Sequence, residues 1–236
     1  SFYVVQRMAM LSTFFVLSGC LIYVRYRNFL FNDNNNKNLV YFLLITCWVL
    51  AMMSKENGVL LPLFLICIEL SFYNGLSYKI LSIDINKRMV YLSGILFAIF
   101  CMVIFSYFKG YLDYSRVDFS FSERLYTQPI VLLDYIYALL FPFHVDIGLY
   151  ADDIVVQKTF WNLETIFSSF VLFVIICFCM CSLLRQKLLG FSFGLMFFLI
   201  GHLIESSIFP LEMYFNHRNY LPSVGLYCFL CFLKSE

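Results

Sequence analysis

Charge is scarce in this sequence. Only 13% of its 236 residues are Asp, Glu, Lys or Arg, and the formal net charge is +1. A chain so poor in basic residues has no patch to track a phosphodiester backbone, which excludes nucleic acid as a partner. Glycine (10), proline (5), histidine (3) and tryptophan (2) are also few. No glycine-rich phosphate loop, HExxH, GxSxG or internal repeat is found. The chain opens Ser1-Phe2-Tyr3 and enters an apolar run without the charged lead and small-residue cleavage site of a signal peptide. It therefore reads as a fragment of a longer chain, whose last span runs into Lys234-Ser235-Glu236.

What is abundant is apolar surface. Hydrophobic residues make up 62% of the chain and the mean hydropathy is +0.83. A soluble domain has no way to hide that much. The expectation is an all-α, polytopic transmembrane helix bundle forming a single domain over 1–236, with the lipid bilayer as its first partner. Apolar runs near 8–24, 39–53, 58–73, 89–108, 166–184, 188–204 and 221–233 predict about seven spans. The second and third are separated only by Ser54-Lys55-Glu56-Asn57-Gly58, which predicts a tight hairpin at the membrane face. Segment 123–142, inside an outer loop 109–165, carries Asp134 and three tyrosines. It reads as one interfacial or re-entrant helix opened by Pro129 and stopped by Pro142. All nine cysteines lie in apolar stretches and read as small hydrophobes. Cys228 and Cys231 form a CxxC without the further ligands a metal needs, so no metal or cofactor is assigned.

Cytoplasmic loops concentrate Lys and Arg. With the N-terminus outside or lumenal, the short inner loops hold Arg25, Arg27, Lys37, Lys79, Lys87, Arg88, Arg185, Lys187 and Lys234, nine of the 16 basic residues. The outer side then holds most of the acids. Ionisable groups near hydrocarbon are costly unless they pair or face a wet cavity. Four outer clusters stand out: Gln6-Arg7, Ser54 to Asn57, loop 109–165, and Glu205 to Arg218. The last is the densest, with Glu205, Glu212, His217, Arg218 and Tyr220 around a helix end and a helix start. His217-Arg218 directly before a span, with Pro222 in its first turn, suits an anion such as a phosphate. Arg7 and Lys55 are further outer cations for an anionic headgroup, with Glu56 read as a salt-bridge partner of Lys55. His202, one turn inside a span, reads as a helix-packing hydrogen-bonder.

Four of these stretches occur in a familiar order: Tyr3-Val4-Val5-Gln6-Arg7-Met8, Leu50 to Asn57, Gln128-Pro129 with Pro142 downstream, and Glu205-Ser206-Ser207 through His217-Arg218-Asn219-Tyr220-Leu221-Pro222. Together they resemble the membrane part of bacterial tetratricopeptide-repeat membrane proteins, which is similar to the transmembrane and tetratricopeptide-repeat O-mannosyltransferases of the GT-C glycosyltransferase class. The resemblance covers nearly the whole chain. It implies a GT-C-like fold in the bacterial inner membrane, or the endoplasmic reticulum of a eukaryote. It also implies sugar transfer from a polyprenyl-phosphate carrier, the lipid-linked donor being a substrate, to a protein or glycan acceptor on the outer or lumenal face. By the same resemblance Lys55, Glu56, His217 and Arg218 bind the carrier phosphate and shape the sugar site. The resemblance further implies a catalytic acid upstream of Ser1, so no residue of this chain is assigned that role. The alternatives by residue chemistry are a membrane transporter and a non-catalytic anchor for a missing repeat domain.

Overall fold

The computed structural model describes residues 2–31, 37–73, 114, 117–141, 155–185, 187–206 and 213–235, except for the side chains of 2–5, 31, 216, 217 and 233–235. The described residues contain α-helices, short 3-10 turns and no strand. The span expected at 89–108 lies outside them. The chain divides into two compact units, Ser1–Met102 and Val103–Glu236.

In the first unit, α1 (Phe2–Phe31) packs along α2 (Lys37–Ser54), and α1 also touches α3 (Leu61–Phe72). The hairpin between α2 and α3 is a 3-10 turn, Glu56–Leu60. It folds back so closely that a Cβ on Gly58 would lie 2.2 Å from the Ala51 carbonyl carbon, so only glycine fits there. The turn uses five residues of the apolar run and Pro62 starts the helix after it, which shortens α3 to 12 residues. At the far end, Arg27 of α1 grips Glu69 of α3 with two hydrogen bonds, Nε to Oε2 at 2.8 Å and Nη2 to Oε1 at 2.5 Å. Tyr23 donates its hydroxyl to Glu69 Oε2 at 2.7 Å, and the Tyr73 ring lies 4.1 Å from the Arg27 guanidinium carbon. A two-pronged pair of this kind has the planar geometry guanidinium and carboxylate share.

In the second unit, α4 (Phe121–Leu140) packs on α5 (Leu163–Arg185) and α7 (Tyr220–Ser235), while α6 (Leu189–Gly201) packs on α5 and α7. Helix α4 occupies the segment read as interfacial, but Pro129 does not open it. The start is at Ser120, whose hydroxyl accepts the Glu123 N–H at 3.3 Å while Glu123 Oε2 accepts the Ser120 N–H at 2.7 Å. That reciprocal cap satisfies two orphan donors and outweighs the local preference of proline for a first turn. Pro129 is left in the helix interior, where it withholds one N–H from the ladder. The buried residues Arg124, Thr127, Gln128, Val131 and Tyr135 recur at helical spacing, so α4 buries one stripe, polar at its start and apolar beyond. Val131 and Tyr135 join Phe198 and Leu226 in a core flanked by Leu139 and Leu199.

Helices α6 and α7 approach backbone to backbone. A Cβ on Gly194 would meet the Gly225 carbonyl oxygen at 2.6 Å, and one on Gly225 would meet the Gly194 oxygen at 2.5 Å. Small residues at such crossings let helices pack where lipid removes most of the hydrophobic drive between them.

Among the described residues three helices are long and apolar enough to cross a membrane: Gln6–Leu30 within α1, Lys37–Ser54 and Leu163–Arg185. Their outward surfaces are rich in exposed apolar side chains, such as Phe42 and Ile45 on α2 and Phe167, Phe170 and Phe173 on α5. Helices α6, of 13 residues, and α7, of 16, are apolar but shorter.

Gly194→Ala and Gly225→Ala each force the same pair of backbones apart and are expected to cost about 1–3 kcal/mol. The double variant costs less than the sum of the two, as sites sharing one contact do; equal and additive losses in thermal unfolding would place the two glycines in separate contacts. Ser120→Ala is expected to lose about 1 kcal/mol. The bond from the Ser120 N–H, then its hydroxyl, holds the Glu123 carboxyl below its usual range. A depressed carboxylate contributes stability above its unfolded pKa and loses it as pH falls through the folded one. Ser120→Ala keeps that N–H, so it is the penalty of Glu123→Gln, which removes the carboxylate itself, that shrinks on acidification, and a series of melts across the carboxylate range measures it.

Candidate functional site

The start of the α4 stripe puts Arg124 into the interior of the second unit, with 0% of the residue exposed. The chain after α6 turns through His202 to Ser206, and the chain before α7 makes the 3-10 turn Asn216–Asn219. These two turns and the start of α4 meet around a buried polar cluster. Arg124 Nη2 donates to the Glu205 backbone oxygen at 2.8 Å. The Glu205 carboxylate is buried, with Oε2 3.6 Å from Arg218 Nε. Arg218 is itself 6% exposed, donates from Nη1 to the Met213 oxygen at 3.5 Å, and stands 5.3 Å over the Phe215 ring. Two guanidiniums thus gather about one glutamate, Arg124 at its backbone oxygen and Arg218 at its carboxylate, in an interior of low dielectric. Burial, then the charge of Arg218, pulls the Arg124 pKa down to about 10.

Aromatic rings hold this cluster from one side. Tyr135 stacks on His202, centroids 4.9 Å apart, and on Tyr214 at 4.4 Å. Its hydroxyl accepts the Phe215 N–H at 2.8 Å and donates to the Phe215 oxygen at 3.3 Å, so one side chain satisfies both backbone groups of a residue in the loop. His202 Nε2 lies 3.1 Å from Asn219 Oδ1, tying the end of α6 to the start of α7. On the other side the loop before α5 is sewn to α4: the Gln157 N–H donates to Thr127 Oγ1 at 3.0 Å, and its amide is held by Glu164 and Asn162.

Of the residues singled out in the sequence, Glu205 and Arg218 are brought together as an ion pair. Tyr220 opens α7 with its side chain exposed. His217 lies on the 3-10 turn beside Arg218, its side chain outside the described residues. Arg7, Lys55 and Glu56 belong to the first unit. Arg7 is exposed on the first turns of α1; Lys55 is buried between α2 and the 3-10 turn, and Glu56 is exposed on that turn. His202 makes the helix-to-helix hydrogen bond expected of it. Arg124 and Tyr135 are not singled out in the sequence, and Gln128 and Asn219 enter only within the stretches that carry the resemblance, without a role. The signal that could have found Arg124 and Gln128 is their spacing with Val131 and Tyr135, which puts them on one helical face once the helix is started at Ser120.

The cysteines described are free thiols. Among the described residues no three His, Cys, Asp or Glu side chains are placed to hold a metal ion. The chemistry available to the cluster is that of cations with an orienting carboxylate: it can hold an anion and neutralise charge that develops on it. Glu205, beside Arg218, is placed to orient the guanidinium.

Glu205→Ala strips Arg218 of a buried carboxylate and is expected to cost about 3–5 kcal/mol, as broken buried pairs do. Glu205→Gln keeps the shape and should lose less. Thermal unfolding of the two variants ranks them, and a Glu205→Ala protein as stable as the parent would show that the pair is not structural.

No protein-family model, no curated protein and no solved structure matches the chain.

Proposed function

We propose that this chain is the membrane domain of a glycosyltransferase that moves a sugar from a polyprenyl-phosphate carrier to a hydroxyl on the outer or lumenal side. The observation that supports the reading is the burial of Arg124 and Arg218 together beside Glu205 at the turn between α6 and α7. Confining two like charges in an interior is unfavourable, and a bound phosphate relieves it. The depth of the cluster fits a lipid headgroup. Helix α6 has 13 residues, about 20 Å, so a polar turn at its end lies at or below the level of the headgroups of a ~30 Å hydrocarbon layer.

In the reaction the acceptor oxygen attacks the anomeric carbon as the bond from that carbon to the phosphate oxygen breaks. The electron pair leaves with the polyprenyl phosphate, and the acceptor's proton passes to a carboxylate base. Arg124 and Arg218 neutralise the leaving phosphate, and Glu205 orients Arg218. The arrangement in the membrane is read as about seven spans of a GT-C-like fold with Ser1 outside.

A transporter is the rival reading, favoured by the same short α6 and α7, because transporters place polar sites between interrupted helices. The full-length protein in lipid nanodiscs distinguishes the two. Transfer from a radiolabelled polyprenyl-phosphate hexose is expected, and Arg124→Lys or Arg218→Ala should lower it by roughly a hundredfold or more. Solute flux into proteoliposomes without any sugar transfer would favour the transporter, and binding of no lipid phosphate by the parent protein would sink the enzyme reading.

A further inference from the structure

We propose that Gln128 reads a hydroxyl of the bound donor, so that it distinguishes a sugar-bearing polyprenyl phosphate from the bare lipid phosphate; this rests on the reading of the Arg124–Arg218 cluster as a phosphate site. Gln128 follows Arg124 by one helical turn on the buried stripe of α4 and is 4% exposed. Its amide nitrogen lies 3.9 Å from the Met213 sulfur, a weak acceptor, while its carbonyl oxygen Oε1 is buried and meets no hydrogen-bond donor among the described residues. Arg218 donates to the backbone oxygen of the same Met213, so the amide and the guanidinium flank one residue. Turning the amide over would set its carbonyl against the sulfur, which offers no proton, so the orientation with Oε1 unanswered is the better of the two.

A buried, unanswered carbonyl is costly, about 1–3 kcal/mol. Methionine would occupy a similar volume beside Met213 without that cost. What the glutamine adds over methionine is an acceptor one turn along α4 from Arg124 and beside Met213, which Arg218 also holds. A carbonyl oxygen accepts a hydrogen bond and repels an unprotonated phosphate oxygen, so the group it suits is an O–H donor carried next to the anion. A sugar 1-phosphate ester is such a ligand: the phosphate answers the guanidiniums and a ring hydroxyl answers the amide. Sites built around a hydroxyl reject the analogue that lacks it, because the buried partner is then stranded.

The test uses full-length protein in nanodiscs with no acceptor present, so that only the donor can supply the hydroxyl, and measures binding of polyprenyl phosphate and of its mannosyl and glucosyl esters. The parent is expected to prefer at least one ester over the bare phosphate. Gln128→Met should reduce that preference roughly tenfold, hold the bare phosphate as before, and melt at the same temperature or higher. Gln128→Asn, which withdraws the carbonyl by one methylene, should fall between the two in preference. An unchanged preference in Gln128→Met overturns the assignment. So does a marked drop in its melting temperature, which would make the glutamine a structural group. Binding of none of the three lipids by the parent protein overturns instead the phosphate reading beneath it.

Discussion

A guanidinium taken out of water must be answered by partners arranged around it before the chain closes, and the described residues of the second unit hold two. Arg124 and Arg218 arrive from segments far apart in sequence, on the first turns of α4 and just before α7. The Glu205 residue gives its backbone oxygen to one and its carboxylate to the other. Much of the surrounding structure follows from that meeting. The chain after α6 has to turn where Glu205 reaches both, α7 has to begin just past Arg218, and α4 must begin early enough to bury Arg124. The Ser120 cap provides that early start.

The aromatic wall and the glycine crossing serve the same end. Tyr135 supplies hydrogen bonds to both backbone groups of Phe215, which keeps an irregular loop satisfied inside an apolar interior. Its ring, stacked on His202 and Tyr214, excludes water from that side of the cluster. Gly194 and Gly225 bring α6 and α7 into backbone contact, which draws the two turns carrying Glu205 and Arg218 toward each other. Electrostatic effects on an anion grow as the surroundings dry out. Packing several elements distant from any ligand is therefore part of the site's chemistry.

The first unit solves a simpler problem by similar means. Its helices α1 and α3 are clamped at one end by the Arg27–Glu69 pair with Tyr23, while the Gly58 turn closes the hairpin from α2 to α3. A bidentate pair half sheltered from water holds register between helices whose apolar surfaces alone would slide. The same hairpin sends Lys55 inward and Glu56 outward, although the two are adjacent in the chain.

The amino-acid sequence by itself determined the all-helical, membrane-compatible character of the chain, because long apolar runs such as those of α1, α2 and α5 have few other ways to satisfy their backbones beside lipid. It also marked Glu205 and Arg218 as costly polar residues at helix ends, and His202 as a hydrogen-bonder between helices. It misplaced the start of α4, since Pro129 is a strong local signal and the cap at Ser120 and Glu123 is recognised only when both side chains fold onto the backbone. Arg124 was not singled out in the sequence. Its burial depends on Glu205, 81 residues later, which no local pattern encodes. Which charges end up inside is decided by long-range packing, because the free energy of a buried ion depends on every partner the tertiary structure brings within a few ångströms of it.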